Sequence, residues 1–228
     1  YHYQGASAVA IGYNAAEGTV SSSATYVSGG TAGAALVVDD TTGILPGFRV
    51  IGTGYTTQTV VSVDSGTTLT ISADASETPS GTIIFVGAQG IDAVAIGHSS
   101  GQSNQGTLSV AIGYEAGKTN QDFRAVAIGY SAGEEDQGGT AVAIGGQAGK
   151  TTQGDSAVAL GYLSGWQTQG DNAVAVGRSA GYTGQGQGAT ALGNSAGYTG
   201  QGADAIAIGD QAGYSNQAAN SIVINATG

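Results

Sequence analysis

The sequence predicts an all-β chain, a parallel β-roll or solenoid of 16-residue coils with one inserted small β-barrel or β-sandwich module. Three observations point there. A segment of the type AVAIG recurs so that its closing Gly falls at Gly97, Gly113, Gly129, Gly145, Gly161, Gly177, Gly193 and Gly209, with Asn225 in the same slot. Self-similarity at a fixed period is the mark of a repeat architecture. Each unit holds one alternating run of about five residues between glycines, too short for a helix and suited to a strand. Leu, Ile, Val and Phe make only 43 of 228 residues in a chain of net charge −11. That is the composition of a disordered chain unless pattern supplies the order. Gly at 42 positions with only 2 Pro is far short of the collagen triplet, which would need about 76 Gly.

Residues 1–17 form the first coil: Gln4-Gly5, Ala8 to Ile11, Gly12 and Ala15 fit the unit. Gly12 to Gly97 spans 85 residues, one period plus 69, and Gln89-Gly90 resumes the unit. Residues 18–87 are therefore an insert. Strands are expected there at 35–38, 48–51, 59–63, 68–72 and 82–86, with turns at Pro46-Gly47 and Asp64-Ser65-Gly66. About 70 residues with five strands suit a small barrel or sandwich. Residues 88–228 are the repeat array and its exit segment; the chain begins mid-coil and ends just after the array, and the expectation is a fragment or processed piece. Sixteen residues allow two short strands and two turns, one solenoid coil stacked on the next about 4.8 Å away.

In the strand Val94 and Ile96 point one way, and Ala93, Ala95 and Gly97 the other. Both flanks are apolar, and strands apolar on both flanks normally have cover on both. If Val and Ile are the pair buried in each coil, they offset too little of the entropy of ordering sixteen residues. The expectation is a homo-oligomer whose sister chains cover the second flank.

The repeated AVAIG with Ala-Gly four residues later, as in Ala125 to Gly133 and Ala141 to Gly149, resembles the head repeats of trimeric autotransporter adhesins. The resemblance implies a left-handed parallel β-roll with three chains around one axis. The Gln-Gly slot and the longer unit are more similar to tail and virion fibre proteins of bacteriophages and some large viruses. The closing stretch Asn220 to Gly228, NSIVINATG, resembles sequence that leads out of such arrays toward a C-terminal trimerising region. GFRVIGTG, TVVSVDSGTTLTIS and SGTIIFV in the insert resemble small β modules of phage structural proteins.

The polar and aromatic residues also fall in repeat columns. His2 and His98 have no motif partner, so no catalytic triad or His metal site is expected, and no cofactor. Glu134, Glu135 and Asp136 form one acidic turn, open to calcium in a trimer or to solvent alone. Asp155 and Asp171 share a slot in neighbouring coils, and nothing selects them as a glycosidase pair. Gln105, Gln121, Gln137, Gln153, Gln169, Gln185, Gln201 and Gln217 repeat too regularly for exposed loops and are read as a structural amide ladder. Tyr13, Tyr114, Tyr130 and Tyr162 follow the strand Gly directly. Trp166, Tyr182, Tyr198 and Tyr214 share a slot four residues further on, a column for stacking on sugar faces or packing on a sister chain. An ice-binding face would need Thr columns, and Thr119, Thr151, Thr152 and Thr183 are read as irregular.

With 5 basic against 16 acidic residues, neither nucleic acid nor an anionic membrane is an expected partner. No apolar run approaches the roughly 18 to 20 residues of a spanning helix. With no Cys, disulfides, thiolate zinc sites and Cys nucleophiles are excluded. The reading is a non-enzymatic, extracellular structural and adhesive fibre segment of a virion. It would be a trimeric shaft that meets cell-surface glycans by avidity. The alternative is the head of a bacterial surface adhesin.

Overall fold

The computed structural model describes residues 8–12, 15, 20–29, 35–38, 49–53, 60–63, 65, 68–71, 80–86 and 89–225. His2, Tyr13, the Pro46-Gly47 turn and residues 226–228 lie outside them. The described elements are all β strands, and the chain divides into two compact units, Tyr1–Glu17 with Gln89–Gly228, and Gly18–Ala88.

The first unit is a β-solenoid of 16-residue coils. Its long sheet stacks ten three-residue strands in parallel: Val9–Ile11, Val94–Ile96, Val110–Ile112, Val126–Ile128, Val142–Ile144, Val158–Leu160, Val174–Val176, Thr190–Leu192, Ile206–Ile208 and Ile222–Ile224. Equivalent slots pair at every step, as in Val126↔Val142, Ala127↔Ala143 and Ile128↔Ile144, with Thr190 and Val223 the departures in residue type. A second, shorter sheet stacks Ser103–Gln105, Thr119–Gln121, Glu135–Gln137, Thr151–Gln153, Gln167–Gln169 and Thr183–Gln185. Here only the outer two residues pair, as in Thr119↔Glu135 and Gln121↔Gln137. The middle residue is left-handed, for instance Asn120 at φ 53° and Asp136 at φ 52°.

The solenoid interior corrects the burial expected for Val and Ile. Ala95, Ala111, Ala127, Ala143, Ala159, Ala175, Ala191 and Ala207 are wholly buried, and Ala116, Ala132 and Ala148 meet them from the following corner. The largest fully buried side chains are glutamines, Gln121, Gln137, Gln153, Gln169 and Gln201. Val and Ile face outward and are half-buried or exposed. With a Gln from the opposite side filling the coil, only a methyl group from each long-sheet strand fits inside, so the larger apolar side chains are turned out.

Two glycine slots are dictated by the stack. Gly129 has φ +132°, and a Cβ there would stand 2.7 Å from the carbonyl oxygen of Gly145 in the next coil. Gly133 has φ +51°, and a Cβ there would meet the amide of Gln137 at 2.8 Å. The Gly and Gln slots are thus one device: the missing side chain makes room for the amide.

The second unit is an antiparallel sheet in the order Arg49–Thr53, Ser80–Val86, Val20–Gly29, Ala35–Val38, Thr68–Ile71, Val60–Val63. Five of these overlap the expected strands. The sixth, Val20–Gly29, was not expected, because its Ser-rich sequence carries no clear alternation. It sits mid-sheet, pairing with Ser80–Val86 on one side and Ala35–Val38 on the other.

Candidate functional site

The glutamine column is a continuous hydrogen-bonded ladder. Nε2 of Gln105, Gln121, Gln137, Gln153, Gln169 and Gln185 each donates to Oε1 of the Gln one coil on, at 3.1 to 3.2 Å. The same nitrogen donates to the carbonyl of the Val strand, as Gln137 does to Val126 O at 2.8 Å. The amides therefore tie the two sheets together across the coil and the coils together along the axis. The ladder stops at both ends. Gln89 donates instead to Val9 O and Ala93 O, Gln217 to Ile206 O and Ser221 O, and Oε1 of Gln105 and Gln217 has no hydrogen-bond partner.

Trp166, Tyr182, Tyr198 and Tyr214 stand in one column on the corner after the long sheet. Their ring centroids are 4.8, 4.7 and 4.8 Å apart, with planes within 10°, 2° and 2° of parallel. The ring faces are turned to one another, so this column presents edges and hydroxyls outward. Burial in the stack pushes the Tyr182 phenol above its usual pKa, with the Tyr198 and Tyr162 phenols adding to the effect. Over the preceding coils the same slot is charged: Lys118, Glu134 and Lys150, with Lys150 Nζ 3.4 Å from Glu134.

The slot directly after the strand Gly shows the reverse order. His98, Tyr114 and Tyr130 stack at 4.9 and 5.2 Å, Gly146 leaves a gap, Tyr162 follows, and then come Arg178, Asn194 and Asp210. The aromatic rail therefore crosses the corner at the coil that holds both Tyr162 and Trp166.

The carboxylates serve the stack. Asp155 Oδ1 accepts from Gly139 N at 2.8 Å, and Asp171 Oδ1 accepts from Asp155 N at 3.0 Å. Asp136 Oδ1 accepts from Asn120 Nδ2, which follows the Asn104 to Asn120 bond in an exposed ladder that sequence reasoning missed. Among the described residues no group of three or more His, Cys, Asp or Glu could hold a metal ion. The hydroxyl column that includes Thr119, Thr151, Thr183 and Thr199 is interrupted by Glu135 and Gln167.

The outward flank of the long sheet runs the length of the ten-strand stack. Val and Ile, or their near equivalents, fill it at every coil, with Thr190 the one polar residue. Ten strands at the usual spacing make it about 43 Å tall. No family model matches the chain, and neither a curated protein nor a solved structure matches it.

Proposed function

We propose that the chain is a structural and adhesive fibre segment whose copies associate, three about one axis, into a rigid shaft of a phage tail or virion fibre that meets cell-surface glycans. One observation carries the reading: a ten-strand parallel ladder keeps a continuous apolar flank turned away from its own core. A flank of that length is an interaction surface by its size. Identical chains carrying the same flank can close it against one another around a rotation axis. The interior supports a mechanical role, because Ala columns fill it and the amide ladder ties each coil to the next. The repeat's likeness to viral fibre segments supports the setting.

Sedimentation equilibrium tests it. The expected mass is three chains, and Ile144→Asp, which charges the middle of the outward flank without touching the Ala core, is expected to release folded monomers. A wild-type chain that stays monomeric at high concentration overturns the reading.

A further inference from the structure

The gap in the first aromatic column has the dimensions of a site. Tyr130 and Tyr162 belong to coils two steps apart, with Gly146 between them: Gln147 N donates to Tyr130 O at 2.7 Å and Leu163 N donates to Gly146 O at 3.0 Å. Occupied steps of this column measure 4.9 and 5.2 Å between rings. One vacant step therefore separates Tyr130 from Tyr162 by about 9.6 Å of coil rise, enough for one six-membered ring with a contact on each face. Tyr130 is stacked on one side only, by Tyr114, and no described ring stacks on Tyr162. The two are 57% and 53% exposed. Gly146 is the floor, and a Cβ built there would meet Tyr162 Cδ2 at 3.2 Å. This vacancy offers open ring faces, which the Trp166 to Tyr214 stack spends on itself.

We propose that the Tyr130–Gly146–Tyr162 gap binds one neutral, gluco-configured pyranose ring of a glycan, sandwiched between the two phenol rings. The gap lies on a water-facing corner, so its occupant keeps its rim in solvent while both faces are covered. An all-equatorial pyranose has that character, with C–H bonds on both faces and hydroxyls around the rim. A galacto-configured ring sets its axial hydroxyl against one of the two phenols. A chain of net charge −11 disfavours an anionic sugar. The proposal rests on the adhesive part of the reading above, and its geometry is that of a single chain, so it stands or falls apart from the trimer.

The experiment is saturation-transfer NMR with the whole protein and methyl β-glucopyranoside, methyl β-galactopyranoside and p-cresol as probes, beside sedimentation of each variant. Transfer to the glucoside is expected, with the galactoside at least severalfold weaker. Tyr130→Ala and Tyr162→Ala are each expected to weaken glucoside binding about tenfold. Gly146→Tyr fills the gap from within and is expected to abolish binding. The same slot holds Tyr, Arg, Asn or Asp in other coils, so the variant is expected to fold once the Tyr162 ring edge, 3.2 Å from the Gly146 Cβ position, swings aside, and circular dichroism checks it. Tyr198→Ala is expected to leave binding unchanged. No transfer to the glucoside, binding undiminished in Gly146→Tyr, or binding of p-cresol alone overturns the proposal. A monomer that still binds the glucoside overturns only the shaft.

Discussion

The two sheets of the solenoid are built from the same sixteen residues yet held by different means. In the long sheet all three residues of each strand are extended and paired, and Val and Ile suit that backbone by their own preference. In the short sheet the strands read SNQ, TNQ, EDQ, TTQ, QTQ and TGQ, with a left-handed residue in the middle and only Gln constant. A side-chain ladder does there what propensity does opposite. Over the last two coils the contrast becomes visible. The short sheet thins to the isolated bridges Thr183↔Thr199 and Thr199↔Ser215, and the ladder ends without a Gln201 to Gln217 bond. The long sheet continues through Ile222–Ile224 in the same register, with Val223 in the Ala slot. Register in one sheet is carried by backbone, and in the other by a buried amide.

The harshest break of that comparison strikes the joint between the sheets. Gly129→Val places a branched side chain at φ +132° and a Cβ against the Gly145 carbonyl. A loss of more than about 4 kcal/mol is expected, read as collapse of the thermal transition. Next comes a pair of substitutions, one in each sheet. Gln137→Leu removes the donor to Val126 O and Gln153 Oε1 and takes from Gln121 Nε2 its side-chain acceptor, leaving it the Val110 carbonyl. It is expected to cost about 2 to 4 kcal/mol. Val142→Thr on the outer flank of the long sheet is expected to cost less than about 1 kcal/mol, since Thr190 already occupies that slot. Equal melting temperatures for the two variants would erase the distinction.

Much of this was legible in the sequence for one reason: a period of 16 converts a residue's identity into a column. The AVAIG strand, the Gln column and the Trp166 to Tyr214 column could all be read that way. Which flank of the strand faces inward could not, because Ala and Val are both apolar and the coil's thickness decides between them. The left-handed corners were hidden as well. One such slot holds Glu115, Ser131, Gln147 and Leu163, and another holds Leu108, Arg124, Thr140 and Asn172, so no residue type announces them. The Gly146 vacancy has no sequence signal by itself, and it becomes a site only when Tyr130 and Tyr162 are known to flank it. In the other unit, Val20–Gly29 escaped because partners on both sides override a weak local preference.

A smaller effect sharpens the account of the short sheet. Thr152 and Thr168 hold φ 51° and 54°, which β-branched side chains tolerate poorly, whereas Asn120 and Asn216 in the same slot suit that region. Thr152→Asn relieves the strain and adds an amide beside Asp136, in line with the exposed ladder. A gain of about 0.5 to 1 kcal/mol is expected, measured as a raised melting temperature. No gain would mean that the turn is fixed by its neighbours alone.

The smallest effect is electrostatic and depends on pH. Lys118 Nζ donates to Glu115 Oε1 at 2.7 Å, and that bond raises the lysine above its ordinary 10.5 against an opposing desolvation, with the Glu115 and Glu134 charges adding to the rise. A raised lysine binds its proton more tightly in the folded chain. Its contribution is therefore complete below pH 10.5 and fades as pH climbs through the folded value. The pair is partly exposed, so a few tenths of a kcal/mol is expected. Glu115→Gln should melt slightly below wild type at pH 8 and at the same temperature once the lysine is deprotonated. A difference that persists unchanged into strong alkali would assign the stabilisation to packing of the Glu115 stem rather than to charge.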